Sequence, residues 1–284
     1  MKLAIYGSRH QDEYLDAIGA FLESLSAASV DVVMHGKLYN YLSRIMPRKL
    51  ACVRRVSDGP DFEADYALSI GGDGSFLRTA AWVGNKEIPV VGINTGHLGY
   101  LAALGIDELP ALLPMLADGL FNIERRRLIE VSCTGVPEGT CALNEVTVTK
   151  AETSSIIDVE ARINGRNLAD YRADGLIICT PTGSTAYNLS VGGPIVEPTA
   201  PVLVLSPIAA HSLSLRPLVV DDSSVLEFSC SSRANAFRLS VDGRSWVLPL
   251  DMKLTLRRAP YDVKVLKPLG SSFADTLRCK LSWG

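Results

Sequence analysis

The amino-acid sequence predicts an N-terminal α/β domain built on a parallel sheet, followed by a mostly β C-terminal domain. Strand-like and helix-like spacings alternate as far as Ile93, the order that lays helices against a parallel sheet. Beyond about residue 120, short runs rich in Val, Ile and Thr follow one another with little helical spacing. Two apolar strands of the first part end in glycine-bearing turns, Gly71-Gly72-Asp73-Gly74 and Asn94-Thr95-Gly96. In open parallel sheets ligands bind where strands end.

Leu3–Tyr6 reads as the first strand, ending at Gly7-Ser8. From about Asp12 to Ala27 the apolar residues Leu15, Ile18, Leu22 and Leu25 recur at helical spacing, and Val30–Met34 returns as a strand. Tyr66–Ile70 is a strand, Phe76–Val83 a helix and Ile88–Ile93 a strand. In the second part the strands expected are Leu128–Cys133, Glu145–Thr149, Ile156–Ile163, Gly175–Thr180, Val202–Ser206, Leu218–Val220, Val225–Cys230, Phe237–Val241 and Met252–Leu256. Asn164-Gly165 is a hairpin signal, and Asp242-Gly243-Arg244 reads first as a hairpin turn. Helical spacing returns only after Gly183. The expected division is residues 1–120 and 121–260.

With 284 residues, 47% of them hydrophobic and 21% charged, the chain can bury a proper core. A net charge of -3 argues against a nucleic-acid surface, which needs a basic excess. It leaves anionic small molecules open, because placed cations and backbone N–H groups hold a phosphate on an acidic protein. The six cysteines, Cys52, Cys133, Cys141, Cys179, Cys230 and Cys279, are scattered without C-x-x-C or paired histidine spacing. They read as reduced thiols, not as a zinc site. The run Met1–Gly7 is too short for a signal peptide, and no apolar stretch approaches a membrane span. A cytoplasmic protein with no membrane partner is expected.

The most informative stretch is Asp174 to Ser190. A carboxylate opens an apolar strand that breaks into a loop with Thr180, Thr182, Gly183, Ser184, Thr185, Tyr187 and Ser190. Glycine permits close backbone approach, the hydroxyls both donate and accept, and a tyrosine face stacks on a base. Such a loop suits a polar, aromatic, sugar-bearing ligand. Gly71-Gly72-Asp73-Gly74-Ser75 joins a strand to a helix, whose first amides attract phosphate oxygens. Asp73 beside a phosphate fits a hydroxyl-proton acceptor or a partner of a divalent cation; it also fits an ordinary turn or cap residue. The pattern is neither a P-loop nor G-x-G-x-x-G. Asn144-Glu145 offers amide groups for a base edge and a carboxylate for ribose hydroxyls, or simply a solvated turn. His211 reads equally as structural or as a phosphate or ribose contact, and Arg172 as a surface residue or a bidentate grip.

Taken in order, these motifs resemble the NAD kinase family. The matching elements are Gly71–Gly74, Asn94-Thr95-Gly96-His97-Leu98-Gly99-Tyr100-Leu101, Asn144-Glu145, Asp174–Val196, Ser206-Pro207-Ile208, His211 and Arg216-Pro217. The resemblance implies transfer of the γ-phosphate of ATP to the adenosine 2′-hydroxyl of NAD, giving NADP, with a divalent cation, Mg²⁺, and with the site between an α/β and a β-rich domain. It implies a homodimer or homotetramer, and a tail, about residues 261–284, that returns to the first domain. Carried over by position, Asp73 is the proton acceptor. Gly71, Gly72, Gly74 and Arg78 are the ATP-phosphate contacts. Around NAD the carry-over sets Asp73, Gly74, Tyr100, Asn144, Glu145, Arg172, Asp174, Ser184, Thr185, Ala186, Tyr187, Asn188, Leu189, Ser190, Ala209 and His211. Arg78 follows in Ser75-Phe76-Leu77-Arg78, where members vary, and Tyr100 stands where many have Phe. No metal ligands are assigned. Two other readings share parts of the pattern: a lipid or sugar kinase with the same glycine turn, and a non-catalytic dinucleotide-binding regulator.

Overall fold

The structure, a computed structural model, describes residues 1–8, 12–96, 99–152 and 156–281. His97 and Leu98 of the Asn94–Leu101 motif therefore lie outside the described residues. The chain first runs β1 (Lys2–Gly7), α1 (Leu15–Ala27), β2 (Asp31–Met34), α2 (Gly36–Ile45), β3 (Val53–Val56), β4 (Tyr66–Ile70) and α3 (Asp73–Val83). It continues with β5 (Val90–Asn94), β6 (Leu104–Gly105), α4 (Leu112–Ala117) and β7 (Phe121–Arg126). There follow β8 (Ile129–Ser132), β9 (Cys141–Ala142), β10 (Glu145–Lys150), β11 (Ile157–Ile163), β12 (Arg166–Ala173), β13 (Gly175–Cys179) and α5 (Tyr187–Ser190). Next come β14 (Val202–Ile208), β15 (Leu218–Asp221), β16 (Leu226–Ser232), β17 (Ala236–Val241), β18 (Arg244–Pro249) and β19 (Leu254–Arg258). The last elements are β20 (Val263–Pro268) and α6 (Phe273–Leu281).

Two compact units result, one of residues 1–125 with 263–284 and the other of residues 126–262. The first contains a sheet of order β3-β2-β1-β4-β5-β20-β7, with β6 also paired to β5. Pairings among β1 to β6 are parallel, and β20 joins β5 in the same sense. A parallel strand covered on both faces is apolar throughout. Leu3, Ala4, Ile5 and Tyr6 are all buried accordingly. Helix α1 buries Ile18, Phe21, Leu22 and Leu25 on one stripe. It begins at Leu15, after a 3-10 turn over Asp12–Tyr14, rather than at Asp12.

Helix α2 and strand β3 carry weak sequence signals. Only Leu38 and Leu42, one turn apart, mark the buried face of α2 beyond its first glycine, and its cap is the imidazole of His35, which accepts from the Lys37 N–H at 3.2 Å. In β3 two of four residues are arginines. Each is paired with an acid, Arg54 with Asp31 at 3.1 Å and Arg55 with Asp61 at 2.9 Å, as suits an exposed sheet edge.

The second unit holds two antiparallel sheets, β15-β14-β13-β10-β17-β18 and β12-β11-β16-β19-β8-β9. Both contribute to one core, Val146, Leu176 and Leu239 from the first and Val159, Phe228 and Leu256 from the second. Along β11, buried Ile157, Val159 and Ala161 alternate with exposed Asp158, Glu160 and Arg162. Asn164 and Gly165 take φ of 51° and 75°, the left-handed pair that a tight hairpin requires. Asp242 and Gly243 do the same at 45° and 81°, and launch β18. Strands β12 and β18 escape a reading by composition because few of their side chains are buried, Tyr171 and Ala173 in the first and Leu248 in the second. Among the described residues no helix is long and apolar enough to cross a membrane.

One close approach in the first unit positions α3. A Cβ on Gly92 of β5 would lie 2.7 Å from the Ala102 backbone and 3.0 Å from the Phe76 ring. Phe76 anchors the helix that begins at Asp73, and Ala102 follows Tyr100 and Leu101. Gly92→Ala is therefore expected to cost about 1–3 kcal/mol by overpacking, measured by urea unfolding. A loss below about 0.5 kcal/mol, the range of an unremarkable surface change, would show that this packing yields freely.

Candidate functional site

The glycine turn follows β4. Gly71 has φ 140°, where a side chain is strained, and its N–H donates to the Ile93 carbonyl at 2.9 Å, tying the ends of β4 and β5. Gly72 caps α3, and its carbonyl accepts from the N–H groups of Ser75 at 2.9 Å and Phe76 at 3.2 Å. Neither Gly72 nor Gly74 has a left-handed φ, and an added Cβ at either would meet nothing within 4 Å. The fold alone thus does not require glycine at these two positions. The space beside them adjoins the first amides of α3, which have no partner within the helix and carry its positive end.

Asp73 is the first residue of α3. Its carboxylate accepts the Tyr100 N–H at 2.8 Å on one oxygen and the Leu101 N–H at 3.0 Å on the other. A Cβ on Gly99 would overlap that carboxylate, so the approach depends on glycine there. Burial, and then the charge of Asp73, raise the pKa of the Tyr100 phenol, whose hydroxyl is buried without a hydrogen-bond partner among the described residues. Lys280 of α6 stands over the Tyr100 ring, its Nζ 5.9 Å from the centroid. Arg78 is exposed, five residues along α3 from Asp73, which puts it roughly 7.5 Å further down the helix and on a different side.

In the second unit the two remaining motifs meet. Asp242, in the turn before β18, accepts three consecutive backbone N–H groups, of Leu143 at 2.6 Å, Asn144 at 2.9 Å and Glu145 at 3.1 Å. The Thr180 hydroxyl donates to the Leu143 carbonyl at 2.5 Å, and the Thr180 N–H donates to the Asn144 carbonyl at 2.9 Å. A Cβ on Gly183 would overlap the Asn144 backbone. The loop that follows β13 is thereby fastened onto Asn144-Glu145. Burial, with a contribution from the Asp242 charge, pushes the Glu145 pKa to about 7 against an opposing backbone N–H from Tyr187. One Glu145 carboxylate oxygen is buried without a hydrogen-bond partner among the described residues. Asp242 itself is raised, because burial outweighs the N–H groups it accepts.

Ser184 and Asn188 are fully buried and their side chains are engaged inside the loop. The Ser184 hydroxyl donates to the Pro181 carbonyl at 2.7 Å and accepts from the Val196 N–H at 3.0 Å. The Asn188 amide donates to the carbonyls of Ser184 at 3.1 Å and Pro194 at 3.0 Å, and its oxygen accepts from Ser206 at 2.6 Å. These two shape the loop, while Thr185, Ala186, Leu189, Ser190 and the 43% exposed Tyr187 form its accessible part.

Asp174, Arg172, Ala209 and His211 gather elsewhere. Asp174 accepts from Lys150 Nζ at 2.6 Å, and its N–H donates to the Ile208 carbonyl at 2.9 Å. The His211 N–H donates to the Arg172 carbonyl at 2.9 Å, with both side chains exposed and Ala209 at φ 48°. Glu145 pairs with Cys179 at the far end of β13, five residues from Asp174, or roughly 17 Å at ~3.4 Å per residue. The stretch from Asp174 to Ser190 therefore serves two clusters. Lys150 and Lys280 carry no signal in the sequence, while Asp242 reads there only as a hairpin turn and Thr180 only as one hydroxyl of the loop. Lys150 becomes legible once β10 is paired with β13, because continuing that register sets it opposite Asp174.

Among the described residues no group of three His, Cys, Asp or Glu could hold a metal ion. The family model for the ATP-NAD kinase N-terminal domain matches residues 9–121, and that for the C-terminal domain matches residues 143–267. This chain belongs to the ATP-NAD kinase family. It is 42% identical to the NAD kinase of Porphyromonas gingivalis and 37% identical to that of Bacteroides fragilis, each likeness covering 100% of this chain and 98% of the relative. Among solved structures, an NAD kinase from Archaeoglobus fulgidus in complex with ATP is similar with TM-score 0.76 and 26% identity over 100% of both chains. The yeast NADH kinase complexed with NADH shares the fold, with TM-score 0.89 and 22% identity over 100% of this chain and 88% of that one. The activity of the chain is that of an NAD kinase.

Glu145 gives a stability signature. Its folded pKa of about 7 lies above the ordinary 4.5 of a glutamate, so between those values the unfolded chain releases a proton that the folded chain keeps. Stability is lost as pH rises through that window. Glu145→Gln removes the effect. The variant is expected to gain stability over the parent from about pH 4.5 to 7, by on the order of 1–3 kcal/mol at the plateau. Melting curves across that range check it; a difference independent of pH would contradict the assignment.

Proposed function

We propose that the chain transfers the γ-phosphate of ATP to the adenosine 2′-hydroxyl of NAD, with Asp73 as the proton acceptor. The observation that carries this is the open space beside Gly72 and Gly74, next to the free amides of α3 and the Asp73 carboxylate. Glycine there admits a triphosphate where a side chain would not. ATP as donor is supported by the Archaeoglobus fulgidus relative, solved with that nucleotide. In the transfer the 2′-oxygen forms its bond to the γ-phosphorus while the bond to the β-bridging oxygen breaks. The hydroxyl proton passes to Asp73 and ADP leaves. The transition state is loose, so positioning and charge stabilisation supply most of the acceleration.

The other roles follow from chemistry. Asn144 and Glu145 hold base and ribose groups of NAD, beside the accessible surface of Thr185, Ala186, Tyr187, Leu189 and Ser190. Tyr187 offers its ring for stacking. Asp174, Arg172, Ala209 and His211 form a second set of dinucleotide contacts, and Arg78 a further cation for phosphate. The described residues do not compose a resident metal site. Mg²⁺ enters here as part of the Mg–ATP substrate, held chiefly by phosphate oxygens, as is usual for this ion. Assembly as a homodimer or homotetramer in the cytoplasm is part of the same reading and rests on family likeness alone.

A second role for Asp73 is favoured by its two bonds to Tyr100 and Leu101: a clamp that holds their loop. Asp73→Asn separates the two, since the amide oxygen keeps at most one clamp oxygen and cannot take the proton. A proton acceptor predicts loss of kcat by at least ~10² with NAD affinity retained in calorimetry. A clamp alone predicts weaker substrate binding and a lower melting temperature with kcat kept.

NAD binding is expected to depend on pH through Glu145. Ribose hydroxyls donate best to an ionised carboxylate, and ionisation passes its midpoint at about 7. NAD affinity should rise as pH increases through that midpoint, and Glu145→Gln should flatten the profile. An unchanged profile in the variant would remove Glu145 from the dinucleotide contacts.

A further inference from the structure

We propose that Lys280, on the C-terminal helix α6, is a cationic contact for the terminal phosphate of the donor nucleotide at the Asp73 turn. This assignment rests on the reading of that turn as the triphosphate site.

Strand β20 pairs with β5, and α6 follows it in the same compact unit. Two cations occupy the last turn of α6, Arg278 and Lys280. Arg278 is paired with Asp275 on its own helix, and Ser272 both donates to the Asp275 carboxylate at 2.5 Å and accepts the Asp275 N–H at 3.1 Å. Lys280 is different. It is half-buried and, among the described residues, makes no ion pair. Its ammonium lies over the Tyr100 ring, and the Tyr100 N–H is bound to the Asp73 carboxylate.

Asp73 links three features: it lies between Gly72 and Gly74 with their open space, its carboxylate binds the Tyr100 N–H, and the Tyr100 ring carries a cation with no counter-ion among the described residues. The Asp73 charge reaches Lys280 and favours its charged form, while burial opposes it more strongly and lowers its pKa overall. A partly desolvated ammonium without a counter-ion is costly, and an arriving phosphate relieves that cost. If Lys280 served only to neutralise Asp73, the two would form a direct ion pair; no such pair is present among the described residues. A lysine is suited to the task because its compact point charge on a flexible stem can follow a phosphoryl group that moves between oxygens. Charge stabilisation of that kind typically contributes 10²–10³ in rate per donor, as a rough guide.

The test uses the full chain with Mg–ATP and NAD. Lys280→Met is expected to lower kcat/KM for ATP by on the order of 10²-fold with the NAD dissociation constant unchanged, and Lys280→Arg to recover part of the loss. A helix-packing role would lower the melting temperature of Lys280→Met without that kinetic split and without recovery by arginine. Should the methionine variant not fold, acylation footprinting of the unaltered protein decides: Mg–ATP should protect the Lys280 amine. Unprotected Lys280, or a Lys280→Met variant with the parent's kinetics, overturns the assignment. If that result comes with an inactive Asp73→Asn, only the lysine is misassigned. If Asp73→Asn also turns over normally, the reading of the turn has failed.

Discussion

The two hydrogen bonds from Tyr100 and Leu101 to the Asp73 carboxylate hold together the glycine turn of the first unit. They join the start of α3 to the segment after β5, two pieces of chain that share a sheet but not a neighbouring sequence. Gly99 leaves room for the carboxylate, Gly92 leaves room for Phe76 and Ala102, and Gly71 turns the chain from β4 into the helix. Each of these three glycines has a reason internal to the fold. Gly72 and Gly74 have no such reason, which leaves them free for the proposed triphosphate contact.

The second unit uses the same device with a different carboxylate. Asp242 gathers the N–H groups of Leu143, Asn144 and Glu145, and Thr180 and Gly183 press the following loop onto them. A cost accompanies the arrangement. Asp242 and Glu145 are neighbouring buried acids, and burial with the Asp242 charge pushes the Glu145 pKa up to about 7. One of its carboxylate oxygens is buried without a partner among the described residues, which is costly. Sites for polar ligands often store such strain. Here it is the unmet acceptor capacity of Glu145.

Much of the architecture was legible because burial leaves a pattern. The apolar runs of β1, β4, β5 and β13, the stripe on α1 and the alternation in β11 all follow from which faces are covered. Elements that owe their existence to neighbours were not. Strand β3, with its arginines, and the polar strand β12 are held by pairing rather than by composition. Within the site, motifs picked out glycines, hydroxyls and acids but not their division of labour. Ser184 and Asn188 look from the sequence like ligand contacts, yet their polar atoms are engaged in shaping the loop. Asp242 looked like a turn and is one, with the further task of holding Asn144-Glu145 in place. Lys280 had no local signal, because its relation to Asp73 exists only after β20 returns the chain to the first sheet.

The central claim is that the Asp73 turn holds the reacting phosphate and the acceptor hydroxyl together. The most direct measurement is an experimental structure with NAD and a non-hydrolysable ATP analogue as its magnesium complex. The terminal phosphate is expected within hydrogen-bond reach, ~3 Å, of the first amides of α3, and the adenosine 2′-hydroxyl at a similar distance from the Asp73 carboxylate. A triphosphate bound away from Gly72 and Gly74, with Asp73 touching only Tyr100 and Leu101, would contradict it.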